Sequence, residues 1–247
     1  MDRQTQNCCA TPTAARRASL KTALGLMAFG LAAELMPGLA HAAALGKAQR
    51  DAMTPDDVIA MLKRGNERFR ADKLQRHDYL AQKRASASGQ YPAAVILSCM
   101  DSRAPAEIIF DAGIGDTFNT RVAGNIVNDD LLGSLEYACA VAGSKVVLVM
   151  GHTTCGAIKG AIDGANLGNL TGLLNKIKPA MDATKFDGER SSKNDAFVDA
   201  VAATNVRQAI DEIRRRSEVL ADLEKNGKIK IIGSMYHLVG GKVEFYS

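Results

Sequence analysis

Apolar positions along this chain fall into two recurring patterns: short unbroken runs, and longer stretches with a helical period. Ala93-Ala94-Val95-Ile96-Leu97-Ser98, bounded by Pro92, is a continuous apolar run with the length of a buried strand. Lys145–Met150, with its Val-Val-Leu-Val, is the clearest strand of all, Asp116–Val122 reads as another, and Lys228–Ser234 as a final one. Between these runs the period changes. Val58, Met61, Leu62, Gly65 and Phe69 recur on one face of a stretch from Thr54 to about Lys73, and Leu131, Leu132, Leu135 and Ala138 do so within Asp129–Ala142. The pattern predicts further helices over Tyr79–Ala87 and Cys155–Ile162, a turn or two over 105–110, and long helices over about 167–183 and 195–225. Thr54-Pro55-Asp56-Asp57 is a helix start: Thr caps, Pro fits the first turn, and the acids suit the positive end of the dipole. Gly240-Gly241, between two extended segments, reads as a hairpin turn.

Strands alternating with helices imply an α/β fold, a mostly parallel central sheet flanked by helices on both faces. Chemistry in such sheets gathers beyond the carboxyl ends of the strands. A chain of 247 residues, 47% of them hydrophobic, holds enough apolar material for one sizeable core. The formal charge of +4 is scattered, which gives no stripe for a nucleic acid.

Residues 1–42 stand apart. Arg16-Arg17 precede Ala18, Ser19, Leu20 and Lys21, then an apolar run from Thr22 to Ala33, then Ala40-His41-Ala42. A basic region, a short apolar stretch and an A-x-A site form the signature of a cleaved signal peptide. The run is too short for a membrane span, which needs about 20 apolar residues. The arginine pair resembles a twin-arginine signal, though Ser19 stands where that pattern usually has Phe. The expected product is a periplasmic or secreted protein, exported folded, with no stable membrane insertion after cleavage. Residues 43–53 read as a linker and 54–247 as the catalytic domain. Cleavage would remove four Lys/Arg and two Asp/Glu, leaving 27 against 25. It would also remove Cys8 and Cys9, leaving Cys99, Cys139 and Cys155, an odd set that makes no disulfide framework.

Two segments at strand ends carry chemistry: Cys99-Met100-Asp101-Ser102-Arg103, and Gly151-His152-Thr153-Thr154-Cys155. Cys99, His152 and Cys155 form a Cys₂His set for zinc, with the fourth tetrahedral position left for water or substrate, as in catalytic rather than structural sites. Such an ion lowers the pKa of bound water from about 15.7 to about 7. Asp101, kept ionised by Arg103, can accept a hydrogen bond from the hydroxide and so aim its lone pair at a substrate carbon.

Cys99-x-Asp101-x-Arg103 followed by His152-x-x-Cys155 resembles the paired motifs of β-class carbonic anhydrases. The likeness runs over roughly residues 54–246. It includes Gln90, Arg121-Val122-Ala123-Gly124-Asn125, Gly233-Ser234-Met235-Tyr236 and Gly241. The resemblance implies reversible hydration of carbon dioxide by a zinc-bound hydroxide, with one zinc per chain held by Cys99, His152 and Cys155. It implies Asp101 and Arg103 as the catalytic dyad and Gln90 as a substrate contact. It also implies a homodimer or dimer of dimers, with N-terminal helices wrapping a neighbour and the active site at the subunit interface. Some members hold an allosteric bicarbonate with a Trp three residues before the first zinc cysteine; Ile96 stands there, so that regulation is not expected, although Arg121 and Tyr236 are present. Two other functions fit the same residues: hydrolysis of carbon disulfide or carbonyl sulfide, and a non-catalytic zinc-binding homologue. Cys139 reads as a core thiol, His77 as a surface residue, His237 as a packed strand residue, and 214–216 as a solvated basic face.

Overall fold

The structure is a computed structural model in which residues 44–246 are described; the leader, 1–42, lies outside the described residues. Among the described residues, three helices precede the sheet: α1 (Lys47–Ala52), α2 (Pro55–Arg70) and α3 (Tyr79–Ala85). α2 starts as expected. Asp57 N donates to Thr54 Oγ1 at 3.2 Å, and Thr54 N donates to Asp57 Oδ2 at 2.9 Å, a reciprocal cap. α1 lies within the segment read as a linker. Its Arg50 is buried and donates to the carbonyl of Ala142, so a contact distant in sequence fixes a helix with little period of its own.

The remaining elements are β1 (Ala94–Ser98), α4 (Ala106–Ile109), β2 (Thr117–Arg121), α5 (Asp129–Glu136), β3 (Val146–His152), α6 (Gly156–Ile162), α7 (Gly168–Asn175), α8 (Lys178–Ala183), α9 (Asp195–Arg216), α10 (Glu218–Lys225), β4 (Lys230–Tyr236) and β5 (Val243–Phe245). The strands form one sheet in the order β2-β1-β3-β4-β5, parallel except for the β4–β5 pair. This is the α/β architecture implied by the alternation of runs.

Two predicted helices are each split in two. The stretch 167–183 breaks between α7 and α8, where Pro179 lacks the N–H that would bond the carbonyl of Asn175. The stretch 195–225 breaks at Ser217, which leaves helical geometry at φ −116° and ψ 100°. Its Oγ accepts from Leu220 N at 3.1 Å and donates to Glu136 at 2.6 Å, which starts α10 afresh. The predicted helix 129–142 is α5 followed by a π-helical turn over Tyr137–Val141.

β1 and β3 are buried along their whole length, hence their continuous apolar runs. Val95, Leu97, Val147 and Val149 face a core completed by α5, α6, α9 and α10; Ile96, Leu148 and Met150 face one completed by α2 and α4. At Gly151 a Cβ would stand 2.7 Å from Val206 Cγ2 and 2.8 Å from Met235 Sδ, so only glycine lets α9 settle onto this end of β3. Among the described residues no helix is long and apolar enough to cross a membrane.

Candidate metal centre

β1 and β3 are neighbours, with Ser98 opposite Met150. Cys99 therefore leaves the end of β1 beside His152, the last residue of β3. Cys155 is the cap residue of α6, brought back by a turn in which Thr154 takes a left-handed φ of 50°. The three ligand atoms lie within 4.8 Å of one another, and all three residues are buried. Cys99 Sγ and Cys155 Sγ are 4.0 Å apart. Zinc–sulfur bonds of about 2.3 Å in tetrahedral geometry put two thiolates roughly 3.8 Å apart, so the spacing fits.

The imidazole supplies an independent test. His152 Nδ1 bonds the carbonyl of Thr153 at 2.9 Å, which puts the ring proton on Nδ1 and the lone pair on Nε2. Nε2 is buried without a hydrogen-bond partner. A buried polar atom left unpaired is costly, and a metal ion is the partner that this donor set suits.

The thiols divide one charge between them. The Cys155 thiol, hydrogen-bonded to the Cys99 sulfur, pulls the Cys99 pKa down to about 4 against the cost of burial, helped by His152 and the backbone N–H of Gly124, 3.3 Å from Sγ. Cys155 is pushed up by the Cys99 thiolate and by burial. A cation between the sulfurs removes that conflict and lets both ionise. Burial disfavours protonated His152, yet the Cys99 sulfur outweighs it and raises the pKa.

Residues 94–243 match the carbonic anhydrase family, and the ligand set just described lies within them. The chain belongs to the carbonic anhydrase family. It is 36% identical over 187 residues to carbonic anhydrase 2 of Mycobacterium tuberculosis, covering 73% of this chain and 87% of that protein. Among solved structures, the β-carbonic anhydrase CafA of Aspergillus fumigatus is similar with a TM-score of 0.58 at 25% identity, over 66% of this chain and 79% of that one. One of two tetrameric β-carbonic anhydrases from Sordaria macrospora gives 0.57 at 26% identity, over 65% and 83%. The chain is thus a β-class carbonic anhydrase, a zinc enzyme of carbon dioxide hydration, and Cys99, His152 and Cys155 form its zinc site.

Around the ligands this carbonic anhydrase places the expected carboxylate. Asp101 Oδ1 accepts from Arg103 Nε at 3.0 Å and from the Arg103 backbone N–H at 2.9 Å, and Oδ2 accepts from Arg103 Nη2 at 2.8 Å. Arg103 holds the Asp101 pKa at about 2. Oδ2 also stands 3.7 Å from His152 Nε2, beside the space that the ligands enclose. Arg121 holds the same loop from below, with Nε donating to the Cys99 carbonyl at 3.0 Å and Nη2 to that of Asp101.

Gln90 is not brought to this site by its own chain. It lies before β1, in a groove with Ser86, Gly115 and Thr117 at the amino ends of β1 and β2. A five-residue strand, about 16 Å long, separates it from Cys99.

Two contacts to backbone beside the carbonic anhydrase ligands were not foreseen. Asp199 Oδ1 accepts from Thr154 N at 2.7 Å, and Asn205 Nδ2 donates to the Gly124 carbonyl at 2.8 Å. The sequence signal was present as polar residues beside the apolar stripe of α9. His77 and His237 exchange the roles expected of them. The His77 side chain is largely covered, 3.1 Å from Asp111 Oδ1, whereas that of His237 is the more exposed and bonds Glu244 at 3.4 Å. The arginines at 214–216 are each ion-paired, to Glu224, Glu212 and Asp129, so this face is more than solvated charge. Cys139 is buried in the core, as expected.

Proposed function

We propose that the mature chain hydrates carbon dioxide as an exported homodimer, or a dimer of dimers, in which Asp101 and Arg103 are the catalytic pair and Gln90 reaches substrate across the subunit interface. The observation that carries this reading is the Asp101 carboxylate, gripped by Arg103 and 3.7 Å from the ligating nitrogen of His152. When bound, zinc supplies the Lewis acidity that makes water a nucleophile near neutral pH. Asp101 Oδ2, beside the space that the ligands enclose, would accept a hydrogen bond from the attacking water and so orient its lone pair toward the carbon. Arg103 keeps the carboxylate ionised and oriented. The Thr153 carbonyl holds the imidazole ring in place through Nδ1.

The assembly is supported by the edge strand β2 and its surroundings. Ile108, Ile114, Tyr137 and Val141 expose apolar side chains there, and Phe118 packs against Tyr137 at 6.2 Å. An open sheet edge beside exposed apolar groups suits a second subunit. The tetrameric Sordaria macrospora relative uses the same fold. Export is supported by Arg16-Arg17, the apolar run and Ala40-His41-Ala42.

The deciding experiment measures metal content and stopped-flow carbon dioxide hydration on purified residues 43–247. About one zinc per chain together with turnover is expected; zinc-replete protein without turnover would refute the roles given to Asp101 and Arg103. Fractionation of cells expressing the whole chain should find it outside the cytoplasm, and Arg16→Lys with Arg17→Lys should retain it inside.

A further inference from the structure

α9 lays Val198, Val201, Ala202 and Val206 against the sheet, and two polar side chains of the same helix reach backbone groups beside the zinc ligands. Asn205 bonds the Gly124 carbonyl, and the N–H of Gly124 faces Cys99 Sγ. Asp199 bonds the N–H of Thr154, which stands between His152 and Cys155. Thr154 is β-branched and sits at a φ of 50°, in the left-handed region that such residues disfavour. Backbone strain of this kind persists only where its surroundings over-determine it.

Its neighbour Thr153 is fixed from the β4 side, through its N–H to the Tyr236 carbonyl and its Oγ1 to Leu238 N, both at 3.0 Å. At 2.7 Å the bond from Thr154 to a carboxylate is short and charge-assisted. Asp199 lies beyond the first turn of α9, so it does not cap that helix.

We infer that Asp199 is a positioning residue of the zinc centre: by holding Thr154 in its left-handed turn it sets the placement of His152 against Cys155, and so slows loss of the metal. The inference rests on the Cys99–His152–Cys155 zinc set and on no other part of the proposed reaction.

The test follows zinc release from the holoenzyme into an excess of chromogenic chelator, alongside the visible spectrum of the cobalt-substituted protein. Asp199→Ala should release zinc about tenfold faster or more, the scale typical of outer-shell partners, and shift the cobalt bands. Asp199→Asn keeps an acceptor oxygen and should stay near the unsubstituted rate. Thr154→Gly adopts the turn without strain, so Asp199→Ala should add little in that background. An unchanged release rate in Asp199→Ala, or effects of the two substitutions that simply multiply, would overturn the inference. Should Asp199→Ala fail to fold, recovery of folded, zinc-bearing protein in the Thr154→Gly background supports it, and failure in both assigns Asp199 to general stability and overturns it. An unsubstituted enzyme without zinc would refute the ligand set itself, an outcome distinct from any failure of Asp199.

Discussion

Arg103 alone gives Asp101 three hydrogen bonds, two from its guanidinium and one from its backbone. Replacing Asp101 with Asn turns an acceptor toward that guanidinium into a donor, so the pair loses its lock while the ligands stay in place. The expected result is full zinc content with hydration reduced about 100-fold or more; an undiminished rate would remove Asp101 from the reaction. The cysteines show how strongly surroundings set the chemistry of one residue type. Cys99, beside its partner thiol, is pulled down to about 4, whereas burial alone pushes Cys139 up to about 12. Iodoacetamide at about pH 8 should therefore leave Cys139 unmodified in the native mature chain, and peptide mass spectrometry checks this. Cys139→Ser would bury a hydroxyl in that apolar site and cost about 1–3 kcal/mol in denaturant unfolding.

Ser217 illustrates how elements are delimited. It closes α9, caps α10 and bonds Glu136 near the end of α5, so Ser217→Ala should cost about 1–2 kcal/mol. For a domain of this size that lowers Tm by roughly 2–8 °C in calorimetry. Glu224 of α10 serves the sheet edge. β5 pairs only with Ser234–Tyr236, and beyond it Glu224 accepts the Ile231 N–H while Arg214 donates to the Ile231 carbonyl. Burial raises the Glu224 pKa, but Arg214 and the Ile231 N–H outweigh it and leave it below 4.5. A depressed carboxyl adds stability that is complete above its unfolded pKa and lost as pH falls through the folded one. Glu224→Gln should flatten the fall of Tm as pH drops below the ordinary carboxyl range; an unchanged acid limb would show that Glu224 carries none of it. β1 and β3 were legible in the sequence because burial on both faces writes an unbroken apolar run. The zinc ligands were legible because each motif is local. Asp199–Thr154 and Asn205–Gly124 join residues 45 and 81 positions apart, and nothing local marks such pairs. The same holds for α1, which its buried Arg50 ties to Ala142. The break at Pro179 was visible as a proline, but an apolar period running across it hid the boundary.

At the level of the whole molecule, the exposed apolar groups around β2 and the remoteness of Gln90 point the same way. Val141→Glu should give monomers in light scattering, with zinc retained and hydration sharply reduced, since an isolated subunit leaves Gln90 at the wrong end of the sheet. A monomer of full activity would separate Gln90 from the reaction. A last consequence concerns strand pairing. Cys99 follows Ser98, whose partner Met150 lies two residues before His152, so the ligands converge only when these two strands are aligned in one phase. Sliding either strand by a single residue turns its side chains to the opposite face of the sheet. A misaligned pair would therefore leave the three ligands apart and without a shared ion, so metal binding would report on strand register.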